Sequence, residues 1–160
     1  MFRLLKILVP VDFSEDSQRA LSVARSLALD HGACLILVAA APPPPATAEP
    51  FLPATEYPGL IAGMRRDLEA LAADITDLTV ETHVLGGSPG PSIVALANDR
   101  NADLIVMETH GRSGINRLVM GSVAEYVLRH SPCPVLTMRP GTEHHLQGLQ
   151  VAPMTTGSQS

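Results

Sequence analysis

Residues 104–138 read LIVMETHGRSGINRLVMGSVAEYVLRHSPCPVLTM. Leu104 to Met107 is an apolar run long enough for one buried strand, and Pro134 to Met138 is a second. Between them come a loop with glycines at Gly111 and Gly114, then Gly121-Ser122, then an amphipathic stretch with helical spacing. The unit therefore predicts strand, loop, helix, strand. Glycine-rich backbone running into a helix start presents free N–H groups, and the helix macrodipole adds partial positive charge there. This stretch nominates an anion site, with phosphate as the natural ligand.

The rest of the chain repeats the same alternation. Leu4 to Val11 reads as a buried strand that ends at Asp12. Ser14 is an N-cap, with Glu15 and Asp16 in the first turn where negative charge is favoured. Ala20, Val23, Ala24, Leu27 and Ala28 continue that helix to about His31, Gly32 is a C-cap, and Ala33 to Ala40 is a second strand. The Pro-rich run from Pro42 to Pro58, PPPPATAEPFLPATEYP, reads as a surface flap without regular helix or central strand. A second helix follows, with an apolar stripe of Ile61, Met64, Leu68, Leu71, Ala72 and Ile75. Thr79 to Leu85 is a third strand. A turn from Gly86 to Pro91 leads into a third helix with inner residues Ile93, Leu96 and Ala97. Residues 1–139 thus read as one domain, and the polar stretch from Pro140 to Ser160 reads as a tail, disordered at least in part. The order β-α-β-α-β-α-β-α-β predicts an α/β three-layer sandwich around a five-stranded parallel sheet. Ligands in such sheets bind beyond the carboxyl ends of the strands, where Asp12, Ala39 to Ala41 and Glu108 to Gly111 lie.

Composition narrows the function classes. The chain has 160 residues and 46% hydrophobic residues, enough for one core, but no Trp, two Tyr and three Phe. A core of Val, Ile, Leu and Ala suits strands buried on both faces. A formal charge of −5 argues against a nucleic-acid-binding surface, and no apolar run reaches the ~18–20 residues of a membrane span. The start, MFRLLKILVPVDFS, reads as a strand rather than a signal peptide. Cys34 and Cys133 read as two core thiols of a cytoplasmic protein. His83, His110, His130, His144 and His145 show no short metal-ligand spacing apart from the last pair. Ser14, Ser88 and Ser122 lie in no GxSxG elbow and read as cap and turn residues.

The opening ILVPVDFSEDSQRAL, the strand Leu35 to Ala40 and the segment HGRSGINRLVMGSVAEYVLRHSPCPVL together resemble the universal stress protein family over Phe2 to Arg139. The resemblance implies the adenine nucleotide alpha hydrolase-like sheet order 3-2-1-4-5. It also implies an ATP site that Mg²⁺ can complete, in a homodimer that pairs through the last strand, Val135 to Met138. In that site Asp12, with Pro10 and Val11 before it, lies near the ribose and a metal. Val38 and Ala39 border the adenine. Met107 ends the fourth strand, Glu108 and His110 follow it, and Gly111, Gly121, Ser122 and Val123 hold the phosphates. On charge alone, Arg112 and Arg117 are suited to neutralise phosphate.

The nucleotide-binding members resemble one another in a signature of Gly, two residues, Gly, nine residues, Gly, then Ser or Thr. Counting back from Gly121-Ser122 reaches Gly111, but the first glycine position holds Glu108. At an effective dielectric of ~20, two like unit charges ~4 Å apart cost roughly 4 kcal/mol. Glu108 therefore separates two expectations: an ATP-binding regulator of stress adaptation, and a dimeric interaction protein that does not bind ATP. A third reading pairs Asp12 and Glu108 as Mg²⁺ ligands. No feature supplies a dedicated nucleophile or an arginine finger, so ATP turnover is expected to be slow at most.

Overall fold

The structure is a computed structural model, and it describes residues 3–41, 56–109 and 120–138. The chain runs β1 (Lys6–Pro10), α1 (Glu15–His31), β2 (Cys34–Ala41), α2 (Glu56–Ala73), β3 (Val80–Gly86), α3 (Pro89–Asp99), β4 (Leu104–Glu108), α4 (Ser122–His130) and β5 (Val135–Met138). All five strands are parallel, in the order β3-β2-β1-β4-β5, as the resemblance implies.

Strand side chains alternate between two apolar layers, which is why the strands are apolar almost throughout. Ile7, Val9, Leu35, Leu37, Ala39 and Val106 pack with Ala20, Ala24 and Ala28 of α1 and Leu68 of α2. On the opposite face Leu8, Ile36, Val38, Ile105 and Met107 pack with Ile93, Leu96 and Ala97 of α3 and with Ala124 and Val127 of α4. The central strand β1 lies between β2 and β4, so the chain leaves these neighbours in opposite directions and opens a crevice at their carboxyl ends.

Local signals hold in detail at α1. The Ser14 hydroxyl accepts from Ser17 N–H at 3.2 Å, and Gly32 ends the helix at φ 66°, the left-handed conformation glycine favours. Four expectations need correction. Helix α2 begins at Glu56, inside the stretch expected to be a flap. Pro58 then falls in its first turn, where a missing N–H removes no helical bond. Ile75 is buried against the α1/α2 layer but lies beyond α2, which ends at Ala73. Glu108 closes β4, in register with Met138, rather than opening the loop. Gly121 is the N-cap of α4, and Ser122 is its first helical residue. The flap from Pro42 to Thr55, the loop from His110 to Val119 and the tail lie outside the described residues.

Candidate functional site

The carboxyl ends of β1, β2 and β4 and the first turns of α3 and α4 border a cavity of about 300 Å³. Its walls are apolar where Pro10, Val38, Ala40, Ile93 and Met107 meet. Its polar end is formed by Asp12, Ser17, Glu108, Thr109, Gly121 and Ser122. A flat apolar slot beside a polar end is the arrangement that takes an amphipathic small molecule.

Among the described residues three helix N-termini reach this cavity, that of α1 through Ser17 and those of α3 and α4, and their sequences make them different. In α4 the first ladder bond runs from Glu125 N–H to Gly121 O at 3.0 Å, so the N–H groups of Ser122, Val123 and Ala124 precede the helical ladder. Ser122, Val123 and Ala124 all line the cavity, and Gly121 has no side chain to cap them. In α3 the first turn contains Pro89 and Pro91, which have no N–H, and Ser92 N–H already donates to Ser88 O at 3.1 Å. Ser17 N–H of α1 is already capped by Ser14, so among the described residues α4 offers the fullest row of donors to an anion.

Asp12 is held by its own turn. Its Oδ1 accepts from Ser14 N–H at 3.0 Å and from the Ser14 hydroxyl. Phe13 between them adopts φ 64°, a left-handed conformation that bulky side chains rarely take. Ser17, 6% exposed, extends this turn by donating its hydroxyl to Ser14 O at 3.1 Å. Glu108 is 7% exposed and borders the same cavity, but it shares strand parity with Val106 and register with Met138, so its side chain falls on the α1/α2 face of the sheet, where both carboxylate oxygens are buried.

Of the residues expected from sequence, Pro10, Val11, Asp12, Val38, Met107, Glu108, Gly121, Ser122 and Val123 line this one cavity. Ala39 does not: it is fully buried in the layer of α1 and α2 on the other face of the sheet. His110, Gly111, Arg112 and Arg117 lie outside the described residues. Ser17, Pro89, Ile93 and Ala124 line the cavity without having been expected there, whereas Ala40 and Thr109 fall within the expected carboxyl-end stretches Ala39 to Ala41 and Glu108 to Gly111. Strand periodicity already distinguishes Ala40 from Ala39, because only alternate residues share a face with Val38. Pro89 and Ile93 follow from topology, since a helix entered from a strand starts at the sheet's carboxyl edge.

Asp12 borders the cavity and Glu108 ends the strand beside it, and both carry hard oxygen donors of the type Mg²⁺ takes. Among the described residues no three His, Cys, Asp or Glu side chains converge as a metal-ligand group. A Mg²⁺ ion here would thus draw most of its ligands from water and from a bound phosphate, its usual habit. The histidines serve locally: His130 Nδ1 lies 2.9 Å from Tyr126 O, its ring stacked on Tyr126, and His83 Nε2 lies 3.6 Å from the Glu81 carboxylate. Cys34 and Cys133 are free, and burial pushes both thiols above their ordinary pKa. Among the described residues no helix is long and apolar enough to cross a membrane.

Comparison with known proteins places this geometry. The sequence model of the Universal stress protein family matches residues 4–139. The protein named "Universal stress protein in QAH/OAS sulfhydrylase 3'region" from Thermus aquaticus is 36% identical over 135 residues, which cover 83% of this chain and 97% of the relative. The solved structure of hypothetical protein MJ0577 superposes with a TM-score of 0.76 at 27% identity, covering 86% of this chain and 96% of that one. A universal stress protein in complex with cAMP superposes with a TM-score of 0.64 at 27% identity, covering 86% and 98%. The chain belongs to the universal stress protein family.

Proposed function

We propose that this protein is a nucleotide-binding regulator of stress adaptation that takes ATP, with Mg²⁺, and acts as a homodimer joined through β5. The observation that carries the reading is the cavity itself. An apolar slot between Val38, Ala40 and Ile93 suits a base, and the donor row of Ser122 to Ala124 suits a phosphate. A family neighbour in complex with cAMP supports a nucleotide ligand. In this reading Asp12, oriented by Ser14, faces the ribose, and the Ser122 hydroxyl and N–H hold a phosphate oxygen. Mg²⁺ would offset the charge of the phosphates where Asp12 and Glu108 line the wall. The outcome is a shift between free and bound populations rather than turnover of the ligand.

A second reading is favoured by one observation, the buried Glu108 where β4 ends at the cavity. There the same fold serves as a dimeric interaction protein that does not bind ATP. Calorimetric titration of the purified protein, stripped of co-purified nucleotide, decides between them. ATP and cAMP are each added with and without Mg²⁺. Micromolar ATP binding that requires Mg²⁺ supports the first reading. No binding by wild type together with binding by Glu108→Gly supports the second.

A further inference from the structure

We infer that Thr109 is a positioning residue through which the edge strand β5 sets the geometry of the phosphate end of the cavity. The inference rests on the nucleotide reading above and assigns one residue's part in it. Thr109 directly follows β4 and is 6% exposed, one of few buried polar side chains among the described residues. Its N–H donates to Met138 O at 3.0 Å, and its hydroxyl donates to the same oxygen at 3.1 Å. Its own carbonyl accepts from Gly121 N–H at 2.7 Å.

These three bonds join the end of β5 to the N-cap of α4, with Thr109 itself on the cavity wall. The backbone bond to Met138 is available to any residue except proline. The hydroxyl bond is available only to Thr or Ser, and it fixes the side chain and the Cα of Thr109 against β5. The direction of the Thr109 carbonyl is thereby set toward Gly121. That matters because Gly121, the N-cap of α4, brings no side chain to cap the helix. The Thr109 carbonyl is the acceptor that holds the start of α4, and the N–H groups of Ser122 and Val123 follow within two residues. Loosening the hydroxyl bond lets the donor row drift from the position an anion needs, while the apolar slot is left intact.

The test uses Thr109→Val, which keeps the shape and removes the donor, and Thr109→Ser, which restores it. Each full-length variant is titrated with ATP and with adenosine, and amide hydrogen exchange is followed at Gly121. Thr109→Val is expected to weaken ATP binding several-fold, with about tenfold, the full worth of one neutral hydrogen bond, as the upper bound. Adenosine affinity should change by less than about twofold, since only the phosphate end is disturbed. Exchange at Gly121 should quicken in Thr109→Val, and Thr109→Ser should match wild type in all three measurements. Unchanged ATP affinity in Thr109→Val overturns the inference, and so does an equal loss for ATP and adenosine, which marks a general structural role. If wild type binds neither ligand, the nucleotide reading fails, while Gly121 exchange still reports whether the hydroxyl holds α4. Should Thr109→Val not fold, Thr109→Cys, a weak donor of similar size, takes its place in the comparison.

Discussion

Replacing Gly90 by alanine tests how tightly α3 sets the position of α4. A Cβ built at Gly90 would meet Tyr126 Cβ at 2.9 Å and Tyr126 Cγ and Cδ1 at 3.0 Å. Favourable carbon contacts lie at about 3.5–4.0 Å, so the two helices must separate by roughly half an ångström or more. The crowded atoms belong to the base of the tyrosine side chain, so rotating the ring away gives little relief. Overpacking of this kind costs about 1–3 kcal/mol, and the helix preference of alanine over glycine returns at most ~1 kcal/mol. The net expectation is a loss of about 1–2 kcal/mol. With a urea slope of ~2 kcal/mol per molar, the unfolding midpoint falls by roughly 0.5–1 M. Gly63 of α2 is the matched control, because its nearest neighbour is an arginine terminus at 4.0 Å. Gly63→Ala should therefore stabilise by about 0.5–1 kcal/mol through helix preference alone. Equilibrium urea unfolding at fixed pH measures both variants. A Gly90→Ala protein at least as stable as wild type would refute the argument that α3 and α4 touch without slack.

Two further outcomes follow from burial and periodicity. Ala40→Leu projects into the cavity and should abolish nucleotide binding while moving stability by less than ~1 kcal/mol, whereas Ala39→Leu, fully buried on the other face, should cost about 1–3 kcal/mol. Calorimetry and urea unfolding of the pair separate the two effects. Cys34 and Cys133 should react with iodoacetamide more slowly than a free cysteine at pH 8. Burial raises the pKa of both thiols, Glu81 adds to the rise at Cys34, and only the thiolate reacts. The reaction should quicken as pH climbs toward the raised values, and should reach the free-cysteine rate in urea; equal rates in the folded protein would contradict the burial.

Much of the architecture was legible because strands buried on both faces leave an unmistakable trace. The runs at Ile7–Val9 and Leu35–Val38 are apolar without alternation, which in a chain of this length implies parallel strands under two helical layers. Helix α1 was legible to its last residue, since Ser14 and Gly32 carry the cap chemistry themselves. Reading the sheet order needed the family resemblance, because adjacency between β1 and β4 depends on pairing across nearly a hundred residues. Boundaries failed where a residue can serve two roles. Pro58 reads as a breaker yet fits the first turn of α2, and Ser122 reads as a cap although Gly121 occupies that position. In the site, Asp12, Glu108 and Gly121 were visible as motif members. Thr109 was visible only as part of the stretch Glu108 to Gly111, because a threonine after a strand has no spacing signature of its own, and its importance arises from bonds to residues 12 and 29 positions further along the chain.

The two prolines that open α3 give the cavity a direction. Both α3 and α4 point their positive ends at the same space, and on dipoles alone a ligand could lie either way round. Pro89 and Pro91 remove two N–H groups from one end, leaving Gly90 between them, while the other keeps the row from Ser122 to Ala124, so α4 is the terminus better able to solvate a charge. An elongated ligand with one anionic end then meets a lock with a single keyhole orientation. Which end of the ligand lies next to β5 is decided by two residues of α3, which reaches the cavity from the far side of its mouth.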